Sequence, residues 1–553
     1  MVEIKQLSAL EKVRPQDALT APEQLSRTVF LGERVSYQLV FHCGNMMDEV
    51  LEVSIQSPLL PYIRVYQVKR AIMDYPAYPD CTDENYITKE PGIMPDILVP
   101  FETGRIHIGR GANVSLWVTI DIPDTLTAAE YEITAEVCNV PVTTGGFTPL
   151  QMKKTMSLCV LPVALPKQEL RFTQWVYVDC IAEAHGVEVY SEAHWDLIEK
   201  YIEAAAYIGI NMLLMPVITP PLDTAYRTAR KNVQLTDISL IDGKYRFGFD
   251  KVKRWIELCK RHGIRYFEIS HLFSQWGAAF APNIFAIVDG REEQIFGWDT
   301  PSDDPAYAAF LQSFLPQLVA VLEENDIAEY TYFHISDEPY IEYIDAYRNA
   351  KQLIEPLIGR SKTLDALSDF EFFRRGLVSC PIPASDHIEP FLKAEIKNPW
   401  VYYCCAQDSK VSNRFLAMPA CRNRIMGLQM YYYGIKGFLH WGFNYYNSRC
   451  SVYRINPYTT TSGDGSYPSG DAFSVYPGEN GPLLSMRALV FYEGIQDIAA
   501  CRLLESYIGR QAVIELIDKT AGAPLTFENY PNDSEYLLSL REKMTRMIQK
   551  FAK

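Results

Sequence analysis

PAYAAFLQSFLPQLVAVLEENDIAEYTYFHISDEP, residues 305–339, contains one complete helix-then-strand unit ending in two adjacent acids. Phe310, Phe314, Leu318 and Leu322 recur at i, i+4 spacing, with Leu311 and Leu315 beside them. That stripe predicts a core-facing helix over Pro305–Glu324. Tyr330–Ile335 then reads as a short buried strand running directly into Asp337, Glu338 and Pro339.

The same alternation extends both ways along the chain. Upstream, the strand runs are Phe172–Val178, Met212–Val217 and Ile264–Ile269, with helices predicted at His194–Tyr207 and Asp250–Arg261. Downstream, a helix is predicted over Ile341–Leu357, then runs at Thr363–Ala366, Leu377–Pro381, Trp400–Cys404 and Gly437–Trp441. These make eight β runs, each followed by a helix-length segment, and eight parallel strands close a (β/α)8 TIM-type barrel. A doubly wound open sheet fits less well, because no GxGxxG turn follows the first strand.

Residues 1–165 have a different texture. Ser36–Phe41, Ile63–Val68, Val114–Ile120 and Tyr131–Val137 alternate with period two, which predicts an N-terminal β-sandwich with one solvated face per sheet. Leu161–Pro166 reads as an extended linker, since each proline disfavours helix in the residue before it. The expected organisation is therefore a sandwich over 1–165, a catalytic barrel over 166–500 and a helical extension over 501–553, ending in the helix Ser534–Phe551.

Composition narrows the function. With 52 basic and 68 acidic side chains the net charge is −16, which disfavours nucleic acid and anionic membrane as partners. No apolar leader and no run of 18 apolar residues is visible, so neither export nor a membrane span is expected. The 12 cysteines lack paired spacing, which suits a reducing cytoplasm. Aromatics reach 12%, compatible with a sugar cleft and equally with large cores. Absence of GxxxxGK[ST], HExxH, GxSxG and an EF-hand loop removes the common phosphoryl-transfer, metalloprotease and α/β-hydrolase readings. No metal and no cofactor is expected.

Asp337 and Glu338 remain as the chemistry-bearing pair. They lie at the C-terminal end of a strand, where a barrel builds its active site, although acids there also cap a following helix. Neighbours on a regular strand face opposite ways, so a shared role requires a break, which Pro339 favours. Two close carboxylates do not both ionise freely, and the pair then supplies an acid and a base for glycoside hydrolysis. Adjacency suits a scheme in which the substrate's own 2-acetamido oxygen attacks the anomeric carbon. Asp337 would orient that amide, and Glu338 would protonate the leaving oxygen.

HISDEP (334–339), Gly209–Asn211 through Thr219–Asp223, His440–Tyr446, and Gly470–Phe473 running to Tyr476–Gly478 together resemble glycoside hydrolase family 123. The resemblance spans about residues 170–500, with a β-sandwich ahead of the barrel as in that family. It implies a retaining β-N-acetylgalactosaminidase working through an oxazoline-type intermediate, with the family's Asp-Glu pair on Asp337 and Glu338. Around them, strand ends and loops offer substrate-binding candidates: Trp441, Asn444, Tyr445, Tyr403, His271, Asp179 and Trp276. Trp441 also reads as a core tryptophan, Tyr403, His271 and Asp179 equally as barrel-rim supports, Trp276 equally as a loop anchor, and Asp365 and Asp369 as helix caps. The expected partner is an oligosaccharide, and a homodimer through the barrel face or the sandwich is compatible with the sequence. Two other functions stay open: a carbohydrate-binding protein without turnover, and a glycosidase using Asp365 or Asp179 as its second carboxylate.

Overall fold

A computed structural model of the protein describes residues 2–44, 48–140, 149–224 and 230–552. The chain divides into two compact units. One comprises Met1–Gln168, Ser412–Tyr432 and Leu483–Lys553, and the other Glu169–Val411 and Tyr433–Pro482.

The first unit begins with two five-stranded sheets. One orders its strands Val2–Ser8, Arg34–Cys43, Asn113–Asp121, Ile63–Met73 and Gly92–Pro100, all antiparallel. The other runs Ser26–Leu31, Gln151–Ala164, Glu130–Asn139, Glu49–Gln56 and Arg105–Ile108. Alternation feeds one shared core: Tyr37 and Leu39 from the first sheet meet Ile133 and Val137 from the second. Leu161–Ala164, expected as linker, finishes the Gln151–Ala164 strand past a register shift.

The expected solvated face fails for the first sheet. Gln38, Trp117 and Thr119 point away from the shared core and are nonetheless fully buried. Helices of the same unit lie against that sheet: Ser485, the N-cap of Met486–Ile508, bridges Ile97 on the outermost strand. Ala420–Tyr432 packs on that helix so closely that a Cβ on Gly427 would sit 1.9 Å from the Gly494 carbonyl oxygen. The expected boundary after residue 500 thus falls inside a helix, and Arg510–Ala521 and Ser534–Phe551 group with the N-terminal sheets.

The second unit is a mixed α/β structure around a curled parallel sheet. Its strands run in the spatial order Lys362–Thr363, Thr331–Phe333, Tyr266–Ile269, Met212–Met215, Arg171–Gln174, Gly437–His440 and Trp400–Tyr402. Helices Glu192–Tyr207, Asp250–Arg261 and Pro305–Glu324 follow the alternation, as their apolar periodicity requires. The first strand is shorter than expected, because residues from Val178 to His185 form a helix. A complete eight-stranded barrel was expected; the observed sheet has seven strands. Asp365–Ala366 and Pro381–Ile382 form a separate parallel pair, and Ala384 bridges Tyr402. Pro381 and Pro383 remove ladder donors there, so the fifth and sixth runs shrink to two-residue strands.

A four-stranded sheet was not foreseen. Asp237–Ile241 and Lys244–Gly248 form a hairpin, as do Ile284–Val288 and Arg291–Phe296, and the two join edge to edge. Each tip is Asp-Gly with both residues at positive φ: Asp242 and Gly243 at 50° and 69°, Asp289 and Gly290 at 50° and 79°. That is the dipeptide a two-residue hairpin turn selects.

Candidate active site

The strand Thr331–Phe333 stops four residues before the acidic pair, and the intervening backbone is held from both sides. On one side, Leu272 and Phe273 donate to the carbonyls of His334 and Ile335, and Trp276 donates to that of Asp337 at 2.7 Å. On the other, Glu338 donates to Ala366 at 3.0 Å. Glu338 itself sits at φ 41°, in the left-handed region that a non-glycine residue adopts only when its surroundings impose it. This is the break in alternation that adjacent carboxylates need in order to serve one cleft. Both are part-buried.

Burial, and after it the adjacent Glu338 charge, pushes the Asp337 carboxyl well above its usual range, while His334 pulls it back. Glu338 is also raised by burial, offset by the Tyr402 hydroxyl, which donates to its Oε1. Both carboxyls are thus biased toward holding a proton, Asp337 the more strongly. The sequence named Tyr403; it is Tyr402, one position earlier, that reaches Glu338. Tyr403 lies buried in the opposite direction, edge-on to Phe438 and His440.

Beneath the pair is a fully buried polar cluster. His334 Nε2 lies 2.8 Å from Glu268 Oε2, and its Nδ1 lies 3.5 Å from Asp365 Oδ1. Glu268 is steadied by Thr173 and by Trp175 Nε1 at 3.0 Å. Asp365 accepts from Ile335 N at 2.9 Å and Tyr347 Oη at 2.5 Å. Burial draws the His334 imidazole down, but the carboxylates of Asp365 and Glu268 overcome it and raise it to about 9. His271, a substrate candidate from sequence, is instead buried against His334 with ring centroids 4.3 Å apart and planes 19° from parallel. His271, His334 and Asp365 bring potential metal-ligating atoms within 4.8 Å of one another. Stacked rings project their in-plane lone pairs side by side, however, and His334 Nε2 and both Asp365 oxygens already have partners, so the cluster suits a proton better than a metal.

The cleft wall is aromatic. Trp441, part-exposed, donates through Nε1 to Asp471 at 2.8 Å and packs edge-on to Tyr445 and Tyr467. Asp471 lies in the Gly470–Phe473 segment, which pairs with His440–Tyr446 through the Asn444–Phe473 bridge. Gly442 permits that approach, since a Cβ there would lie 2.4 Å from the Ala472 carbonyl oxygen. Asn444 does not face the cleft: it is fully buried and spends its amide on the Tyr177 backbone, at 2.8 and 3.0 Å. Tyr445 is likewise buried, bonded to Ser448 O at 2.8 Å. Asp179 is closed off by a two-bond pair with Arg230, at 2.8 and 3.0 Å, and Arg230 stands over the Tyr177 ring. Trp276 remains part-exposed at φ 68°, beside Asp337.

Of the residues named from sequence, the structure leaves Asp337, Glu338, Trp441 and Trp276 part-exposed and buries Asn444, Tyr445, Tyr403, His271 and Asp179 as supports. Tyr402, His334, Asp471 and Asp223 were missed as site residues. Asp223, at φ 40°, accepts from Tyr467 Oη at 2.7 Å and ties two cleft loops together. A residue at positive φ directly after Pro220-Pro221-Leu222 carries no sequence signal beyond its Pro-rich context.

The chain was compared with known proteins. Residues 175–504 match the family described as the glycoside hydrolase 123 catalytic domain. A family 123 glycoside hydrolase from Clostridium perfringens, solved in a study of glycolipid glycan hydrolysis, aligns with TM-score 0.74 over 100% of this chain and 99% of its own. Identity is 16%, so that likeness speaks to the fold. A PapD-like domain of human CEP192 aligns with 29% of this chain and 84% of its own at 11% identity, but its TM-score of 0.15 supports nothing further. No curated protein matches the chain. The family match covers more than half of the sequence and contains both Asp337 and Glu338, and the chain belongs to glycoside hydrolase family 123.

Proposed function

We propose that this glycoside hydrolase releases β-linked N-acetylgalactosamine from oligosaccharides with retention, using the substrate's 2-acetamido group as nucleophile. The observation that carries the proposal is the left-handed kink at Glu338, which lets sequential carboxylates address one sugar. In this scheme the acetamide N–H donates to Asp337 and favours its anion, and Glu338 is the protonated member of the pair. Glu338 gives that proton to the departing oxygen, and the acetamido oxygen closes on the anomeric carbon. Glu338 then takes a proton from the water that opens the cyclic intermediate, and Tyr402 steadies its anion. Asp337 balances the positive charge on the ring nitrogen meanwhile.

Two observations favour participation over an ordinary second carboxylate. Asp365 is fully buried and saturated by Ile335 and Tyr347, and Asp179 is locked to Arg230. Neither is free to attack a sugar. We further propose that the pair Asp365–Ala366 and Pro381–Ile382, with the Ala384–Tyr402 bridge, completes an eight-stranded barrel around the site.

The test compares para-nitrophenyl β-GalNAc, β-GlcNAc and a plain β-hexoside. Turnover is expected for an N-acetylhexosaminide only, with the galacto form fastest; equal turnover of the plain hexoside rules out participation. Glu338→Gln is expected to lose roughly 10³-fold in kcat on substrates with poor leaving groups. A protein that binds these sugars without hydrolysing any is the non-catalytic alternative.

A further inference from the structure

We propose that His334 is a positioning residue, a buried imidazolium whose fixed positive charge favours the Asp337 anion against the burial and acidic neighbours that oppose it. The proposal rests on the function proposed above and assigns a task to a cluster that function leaves unused.

Geometry supplies the argument. Full burial disfavours a charged imidazole, yet both ring nitrogens of His334 face carboxylates, Glu268 at 2.8 Å and Asp365 at 3.5 Å. Each carboxylate is itself fixed by donors from other strands or helices, so neither can swing away. A neutral imidazole donates from one nitrogen only and would leave a buried carboxylate facing a lone pair. The charged form donates to Glu268 and turns its second N–H, in place of a lone pair, toward Asp365 3.5 Å away.

Every ionisable group around it bears on the balance. Glu268 and His271 face it from the third parallel strand and the loop after it, and Asp365 from the strand pair beyond. Asp337 follows three residues later on its own segment. His271 is kept neutral by burial and by the neighbouring His334 charge. Asp337 meanwhile feels three acids, Glu338, Asp365 and Asp223, against a single cation, His334. Removing that cation leaves Asp337 protonated when the acetamide N–H arrives, and a protonated acid offers that N–H a weaker partner.

His334→Gln in the full chain is the first test, read as the pH profile of kcat/KM on para-nitrophenyl β-GalNAc. The acid limb, which reports ionisation of Asp337, is expected to move up by about one pH unit, with about a tenfold loss on the acid side. The double variant His334→Gln with Glu268→Gln also removes the carboxylate left unpaired, and it covers the case in which the single variant does not fold. It still lacks the charge beside Asp337, so the same displacement is expected. A merely structural role lowers stability and leaves the limb in place; an unshifted limb in whichever variant folds overturns the proposal. Independently, side-chain ¹⁵N spectra of the wild-type protein at pH 8 are expected to retain one imidazolium, and their showing none overturns it as well. Wild-type inactivity on every N-acetylhexosaminide sinks the function itself and is seen before any variant is made.

Discussion

At the scale of single residues, the cleft is governed by a few polar atoms whose partners lie far along the chain. Tyr402 is the clearest. Its hydroxyl holds the Glu338 carboxyl down against the upward push of burial. Removing the hydroxyl raises the Glu338 pKa, so Tyr402→Phe is expected to move the basic limb of kcat/KM to higher pH. It is also expected to slow breakdown of the intermediate by roughly tenfold, the value of one hydrogen bond to a charged group. Tyr403→Phe, at a residue turned to the opposite side, is expected to leave the limb unmoved. Comparing the two pH profiles separates the register seen here from the one expected of the sequence. That one-residue displacement has a simple cause: neighbours on a strand face opposite ways, and sequence alone does not say which phase points at Glu338.

At the scale of elements, the site depends on loops that fit tightly together. His440–Tyr446 and Gly470–Phe473 pair across the cleft wall, and Asp471 fixes Trp441 as a result. Gly442→Ala places a Cβ 2.4 Å from the Ala472 carbonyl oxygen, so the two segments must part. Overpacking of this kind costs about 1–3 kcal/mol. The expected outcome is a lower urea midpoint together with a raised KM, as Trp441 loses its anchor; an unchanged KM separates Trp441 from substrate binding. The long helices Asp250–Arg261 and Pro305–Glu324 were legible to the residue, because 12 and 20 residues of periodic pattern average out local noise. The two Asp-Gly hairpins were equally written in the sequence, at 242–243 and 289–290, and were passed over beside the stronger βα alternation. The short fifth and sixth runs carry too few residues for any period to register.

At the scale of the whole molecule, distant segments of chain are stapled by buried ion pairs within the unit that joins the N-terminal sheets to the C-terminal helices. Arg487 grips Asp96 through bonds of 2.9 to 3.1 Å, across 391 residues of sequence, with both side chains buried. Arg541 binds Glu33 and Asp497 in the same unit, and Arg424 binds Asp497 and Glu493. Breaking one partner of such a pair strands the other charge. Arg487→Met is therefore expected to cost about 3–5 kcal/mol in chemical unfolding, and adding Asp96→Leu to recover most of it. Failure of the second change to rescue the first would show that Arg487 acts through packing.

The sequence by itself determined the alternation of strands and helices, the β-rich start and the acidic pair at a strand end, because each is a local pattern spanning few residues. It also supplied the motifs from which the family could be recognised. Tertiary structure alone decided which side chains serve the pair and which merely hold the wall. His334 was in plain view beside Asp337, yet its charge depends on Glu268 and Asp365, 66 and 31 residues away. Coulombic and hydrogen-bonding partners are set by distance in space, and chain order does not encode that distance until the fold has closed.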